Sequence, residues 1–210
     1  MRIAVIGASA GVGLETLKRA LERNHTVTTL SRSEIPLPEN RNWIRIKGSA
    51  IVKEDLKRAI EGADAVIVAL GTGRSTKPTT LFSSFAKLLD EIKDEAALNM
   101  PFIVLTGFGA GESLKYSGFA AKMFMRFVLR AVYADKKVME ETLAASGLKW
   151  VIVRPGVLTN GPLTERYGIE SRLYKGIKVS AVSRADVADF MVKQAENPTE
   201  LGKYPALSVK

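Results

Sequence analysis

The chain has 210 residues, no cysteine and a formal charge of +9. That length suits one domain able to bury a core without staples, and the missing thiols exclude disulfides, thiolate zinc sites, iron–sulfur clusters and cysteine nucleophiles. The positive balance favours anionic ligands in general, but no lysine/arginine block, RNA-binding aromatic signature or zinc-finger spacing is present, so nucleic acid is not an expected partner.

The first strand is expected at Ile3–Ile6, a run too short for the apolar region of a signal peptide, and a cytoplasmic location is the expectation. Directly after it comes Gly7-Ala8-Ser9-Ala10-Gly11-Val12-Gly13, and an amphipathic helix follows with Leu14, Leu17 and Leu21 at spacings of three and four. That stripe predicts one buried face, with Glu15, Lys18 and Arg19 facing water. A dinucleotide pyrophosphate needs backbone N–H donors at a helix N-terminus and no side chains in the way. Gly7 is expected to make the tight turn, Gly11 to permit close approach and Gly13 to let the helix pack on the sheet. Ser9, Ala10 and Val12 complete the cradle, with Ala10 at the middle position of a Gly-x-x-Gly-x-x-Gly form. A tight βα turn without a ligand is the competing reading, and the position between strand one and helix one favours the cradle.

A second strand, Thr26–Leu30, runs into Ser31-Arg32-Ser33. NAD-specific domains place an acid at this tip to accept the ribose hydroxyl, whereas a 2′-phosphate would be repelled by one. Here Arg32, with the Ser31 and Ser33 hydroxyls, offers charge-assisted hydrogen bonds to a phosphate, so NADPH (NADP+) is the expected cofactor. A solvated loop arginine is the alternative, and Glu34 lies close by. His25, just before this strand and the sole histidine, reads as structural or solvated.

Further strands are expected at Trp43–Lys47, Ala65–Leu70, Phe102–Thr106 and Val151–Arg154, with a short last one near Ala206–Val209. Helices are expected at Glu54–Ile60, Leu81–Ala97, Gly118–Ser146 and Arg184–Glu196, the second stopped by Asn99-Met100-Pro101 and the third by Ser146-Gly147. The longest apolar stretch, Gly118–Tyr133, is broken by Lys122, Arg126 and Arg130, which rules out the roughly 20 apolar residues of a spanning helix. Within it, Met123, Phe124, Met125, Phe127, Val128 and Leu129 read as core, or else as a membrane-surface or dimer helix. Arg184 and Asp186 read as helix-start capping. Leu158–Val182 has no clear period and is either a substrate lid or a surface excursion. The alternation of strands and helices predicts an α/β fold: a single Rossmann-type doubly wound parallel sheet with helices on both faces. It forms one domain, 1–210, with a small C-terminal substrate-side loop region at about 157–182.

The motifs DAVIVALGT (Asp64–Thr72), PTTLF (Pro78–Phe82), SGLKWVIVRPG (Ser146–Gly156), GPLT (Gly161–Thr164) and SRADVADFM (Ser183–Met191), with the glycine turn, span nearly the whole chain. By them it resembles the atypical short-chain dehydrogenase/reductases, an NmrA-like group that includes NADPH-dependent flavin and biliverdin reductases. The resemblance implies that Leu70, Gly71 and Thr72 run beneath the cofactor and that Thr106 lies beside the nicotinamide. It also implies that Arg154, Pro155 and Gly156 flank the carboxamide through backbone groups; a plain proline–glycine strand exit is the alternative there. Ser49 and Ala50 stand where many relatives present an acid to the adenine, and Gly107 stands where they commonly carry a second hydroxyl residue.

Ordinary short-chain dehydrogenases use a tyrosine proton donor with a lysine one helical turn on. Tyr133 has Lys136 and Lys137 at such spacings; by the likeness of Ala134-Asp135-Lys136 to the relatives' Asp-Asp-His, Lys136 points at the cleft, with Lys137 as fallback. Thr106, Tyr133 and Lys136 are therefore the expected catalytic set, with Lys136 also on the cofactor. The expected activity is hydride transfer from NADPH to a small planar acceptor, a flavin or linear tetrapyrrole. The expected partners are that acceptor alone, with no membrane span and a monomer or homodimer. An NADP(H)-sensing regulator and a sugar-nucleotide epimerase or dehydratase are the alternatives.

Overall fold

The computed structural model describes residues 1–73, 75–118, 122, 123, 125 and 127–209. In chain order these hold β1 (Arg2–Ile6), α1 (Gly11–Glu22), β2 (Thr26–Ser31), β3 (Trp43–Lys47), α2 (Lys53–Ile60), β4 (Ala65–Val68), α3 (Leu81–Ile92), β5 (Phe102–Leu105) and a 3-10 helix (Gly111–Tyr116). There follow α4 (Arg130–Ala145), β6 (Trp150–Pro155), β7 (Val157–Thr159), β8 (Tyr167–Glu170), β9 (Ala181–Ser183), α5 (Arg184–Glu196) and β10 (Ala206–Val209). Eight strands form one sheet in the order β3-β2-β1-β4-β5-β6-β10-β8, parallel throughout except where β8 pairs antiparallel with β10. The chain lays β2 and β3 to one side of β1 and then starts β4 on the other. That switch point opens a crevice at the carboxyl ends of β1 and β4.

The central strands are continuous apolar runs because both of their faces are covered. Ile3, Val5, Ile67, Ile103, Val151 and Val153 pack against α1 and α5. Ala4, Ile6, Val66, Val68, Val104 and Ile152 face α2, α3 and α4. Each fully buried aromatic on that second face, such as Phe82 or Phe85, contributes about 1.5–3 kcal/mol of burial.

The first helix turns differently from the expected stripe. Val12, Gly13, Thr16, Leu17 and Ala20 are buried, while Leu14 and Leu21 flank them half-buried. Close approach at Gly13 brings small residues to the centre of the contact. Arg19 does not simply face water: it pairs at 2.7 Å with the fully buried Asp189 of α5, which also takes Lys193 and the Tyr167 hydroxyl at 2.7 Å. A buried carboxylate requires such partners.

Three further expectations are corrected. The α3 helix ends at Ile92, and Lys93–Leu98 continues as turns, closing through Ala97 at φ 47°. The helix expected at Gly118–Ser146 is not continuous; α4 begins only at Arg130, after a break at Val128-Leu129. Phe124 and Arg126 lie outside the described residues, and Phe127 is 72% exposed, so it is not core. The stretch 157–182, by contrast, is the loop with short structure that its lack of period implies: β7 runs parallel to β9, and β8 extends the main sheet. Among the described residues no helix is long and apolar enough to cross a membrane.

Candidate functional site

The glycine turn sits at the switch point. Gly7, at φ 93°, leaves β1 with its N–H on the Leu30 carbonyl at 2.9 Å, and a Cβ there would stand 2.7 Å from the Ala69 carbonyl oxygen. A Cβ on Gly13 would collide with the Gly7 carbonyl, so helix and turn close on each other only through glycine. Gly11, at φ 59°, is exposed and starts α1. The N-cap is Ala10, no side chain caps the helix, and its first turn holds no acid. The N–H groups of that turn, and the positive end of the helix dipole, are left for an outside acceptor. Ala10 is exposed, Ser9 half-buried and Val12 buried beneath them.

At the tip of β2, Arg32 and Ser33 are exposed. The Ser31 hydroxyl donates to the Ser33 carbonyl at 2.8 Å and shapes the turn. Glu34 pairs with Lys47 at 3.6 Å on the surface. After β3 no acid occupies position 49, but one arrives from α2. The Asp55 carboxylate accepts from the Ser49 N–H at 2.8 Å, and a Cβ on Gly48 would stand 2.5 Å from it. Ala50 is buried beside it. Beyond β4, Leu70 and Thr72 are half-buried and Gly71 exposed; the Thr72 hydroxyl donates to the Ser75 carbonyl at 2.9 Å, so it holds its own loop.

Thr106, Tyr133 and Lys136 are brought together at the exit of β5. Thr106 is buried, its hydroxyl 3.4 Å from the Val153 carbonyl, and its own carbonyl accepts from Lys136 Nζ at 2.6 Å. The ammonium lies 5.2 Å from the Phe82 ring centre and 5.3 Å from that of Tyr133. Burial lowers Lys136 to about 8, against the opposing charge of Glu140. Burial, with Glu140 adding to it, raises the Tyr133 phenol above its ordinary range, so it keeps its proton. A Cβ on Gly107 would stand 2.9 Å from the Tyr133 hydroxyl. Lys137 points away and pairs with Glu141 at 3.2 Å. Between them Asp135 turns inward: its carboxylate accepts from the N–H groups of Phe82 at 2.9 Å and Ser83 at 3.2 Å, capping α3. That role left no local signal.

The stretch Arg154-Pro155-Gly156 is committed to the protein. The N–H of Arg154 donates to Pro205 at 2.8 Å, that of Gly156 to Leu207 at 2.9 Å, and the Pro155 carbonyl accepts from Phe108 at 2.8 Å. A Cβ on Gly156 would collide with the Ser180 carbonyl. The N–H groups of Arg154 and Gly156 are thereby taken by the sheet. The Arg154 side chain, 1% exposed, points to the α4 side, bonding Glu140 and Glu112 at 2.7 Å each and lying 4.1 Å from the Tyr204 ring centre.

A cleft of about 680 Å³ opens beside the glycine turn, bounded by Ala10, Gly11, Gly73, Asn160 and Arg184. Arg184 and Asn160 were not foreseen as site residues. Asp186, read as a cap residue, does more. Ser183 caps α5 by accepting from the Asp186 N–H at 2.9 Å, and the Asp186 carboxylate accepts from the N–H groups of Thr164 and Glu165 at 2.7 and 2.9 Å. It thereby pins the segment after β7. His25, buried, bonds Glu196 at 2.7 Å, far from this edge in its structural role.

Residues 7–198 match the family described as NAD(P)H-binding. A Bacillus subtilis protein named uncharacterized sugar epimerase YhfK is 25% identical over 202 residues, covering 91% of this chain and 86% of that protein. Among solved structures, SP1627 of Streptococcus pneumoniae, provisionally named an NADH-flavin reductase, superposes with a TM-score of 0.78 at 24% identity, covering all of both chains. ChuY, an anaerobilin reductase from Escherichia coli O157:H7, gives 0.77 at 22% identity over 99% of this chain and 97% of its own. A wide-type short-chain dehydrogenase/reductase from Veillonella parvula, in complex with NADP, gives 0.81 at 17% identity over 99% and 94%. At these identities the structures establish the fold.

Proposed function

The chain belongs to the NAD(P)H-binding family, and on that premise we propose that it is an NADPH-dependent reductase of a small planar acceptor, a flavin or linear tetrapyrrole. The observation that carries the reading is the uncapped, acid-free N-terminus of α1 behind a turn that only glycines can form. These residues fit a dinucleotide: Gly11, Val12 and Gly13 present N–H groups to a pyrophosphate, and the exposed Arg32 guanidinium meets a 2′-phosphate, the nearby Glu34 carboxylate being paired with Lys47. Asp55, held at the Gly48-Ser49 turn, borders the adenine end.

When bound, the nicotinamide would supply hydride; the chain's own residues would position it, and solvent would give the proton. Thr106 forms the floor at the end of β5, and Lys136, tied to the Thr106 carbonyl, sets a positive charge beside it. Tyr133 holds its proton and packs its hydroxyl over Gly107 as a wall of the site. Direct ring-to-ring transfer asks little more of a protein than that alignment. The acceptor reading draws on the names of SP1627 and ChuY; the epimerase alternative draws on that of YhfK.

The test mixes the protein with NADPH and, separately, FMN, biliverdin and quinones, and follows NADPH absorbance. Consumption above the buffer rate with one of these acceptors is expected. No acceleration with any, alongside epimerisation of a sugar nucleotide at constant NADP(H), would transfer the chain to the alternative class.

A further inference from the structure

Arg184 is the first residue of α5, directly after its cap Ser183. Its Nε lies 3.8 Å from where a Cβ on Gly11 would stand, so the guanidinium sits beside the positive end of α1. Two like charges facing one cleft repel, and the acids that line it, Glu15 and Glu22, are paired with Lys18 at 2.8 Å and Arg19 at 3.6 Å, which leaves the helix end and the guanidinium to an outside anion. The interior arginines of this chain answer to carboxylates: Arg19 to Asp189, Arg154 to Glu140 and Glu112. Arg184 instead holds two neutral acceptors, the Leu158 carbonyl at 3.3 Å and Asn160 Oδ1 at 2.8 Å. Among the described residues it makes no ion pair. Both contacts run through Nη1, so of the five N–H donors of the guanidinium the remainder are left over.

We propose that Arg184 contacts the pyrophosphate of the bound dinucleotide and, through Leu158 and Asn160, draws the segment after β6 onto it. The inference rests on the cofactor reading above and adds a residue and a coupling to it. The planar fork suits a phosphate diester. Arg32, at the tip of β2, addresses a different phosphate, so the two arginines divide the ligand between them. The same helix start fixes the segment at a second point, where Asp186 holds the backbone of Thr164 and Glu165. Residues 158–165 are therefore tied to α5 at both ends, and the Arg184 tie is the one that borders the glycine turn.

Calorimetric titration of the wild type, Arg184→Ala and Arg184→Lys with NADP+ and with adenosine 2′-monophosphate, which has no pyrophosphate, tests this. Arg184→Ala is expected to weaken NADP+ about ten- to hundredfold, with Lys recovering part, while adenosine 2′-monophosphate changes by less than about twofold. In parallel, NADP+ is expected to slow tryptic cleavage at the exposed Arg166, Arg172, Lys175 and Lys178 in the wild type and not in Arg184→Ala. A role in packing alone would leave that ligand-dependent protection intact. Equal NADP+ affinity in wild type and Arg184→Ala, or equal loss of both ligands, overturns the proposal. A wild type that binds neither ligand overturns the cofactor reading itself.

Discussion

The Tyr133 hydroxyl occupies the space that a side chain at residue 107 would need: a Cβ on Gly107 would stand 2.9 Å from it. Gly107 also adopts φ 153°, which residues with a side chain rarely do. The resemblance puts a hydroxyl residue at this position, and here the phenol takes its place from α4, a different element. Gly107→Ser should cost about 1–3 kcal/mol, and the cost should shrink in a Tyr133→Phe background, where the clashing oxygen is gone. Urea denaturation of the four proteins of the cycle measures it; strictly additive costs would mean that the two positions do not share the space.

Arg32 stands exposed at the end of β2 with no resident acid beside it but Glu34, which pairs with Lys47. Arg32→Ala should weaken NADPH by about 1.5–3 kcal/mol and leave NADH unchanged, because only the former carries the phosphate. Fluorescence titration with each cofactor decides it. Equal weakening of the two would place the arginine elsewhere on the ligand.

Lys136 supplies a pH signature. Burial lowers it to about 8 from the ordinary 10.5, so between these values the unfolded chain binds the proton that the folded one has lost. Stability from this group therefore rises with pH across that window, and below about 8 its ammonium is held at a constant cost. Relative to Lys136→Met, the wild type should gain stability on going from pH 8 to pH 10, read by denaturant melts. Turnover should fall as pH rises through about 8, where the charge beside Thr106 is lost, and the Met variant should lack that step. A wild-type profile identical to that of the variant would exclude the assignment.

The Arg154–Glu140 pair is buried on both sides, whereas Glu112 is half in solvent. Burial is the largest single influence on the Glu112 carboxyl and would raise it, but the Arg154 hydrogen bond and charge, a backbone hydrogen bond and the Lys115 charge together lower it. Glu140→Ala should cost about 3 kcal/mol, or roughly 6–12 °C in Tm for a chain of this size, and Glu112→Ala under about 1 kcal/mol. Differential scanning calorimetry checks both. NADP+ affinity should be retained in Glu140→Ala, since the Arg154 side chain points away from the glycine turn; loss of binding in a protein that still melts cooperatively would contradict that orientation.

What the amino-acid order determined by itself is local. The strand runs, the glycine turn between β1 and α1, and the basic tip of β2 are each written in a few consecutive residues, because φ/ψ demands and face periodicity act over one turn or one strand. The tertiary structure alone decided the partners. Arg19 meets Asp189 across 170 positions, Asp135 caps a helix that starts 54 residues earlier at Leu81, Asp55 folds back on Ser49, and Arg184 reaches Gly11. Arg154 sits in a run whose neighbours are all buried, and its side chain faces Glu140 only because α4 crosses that face of the sheet. Long side chains choose partners by proximity in space, and the crossovers that create the proximity leave no mark in the residues around either end.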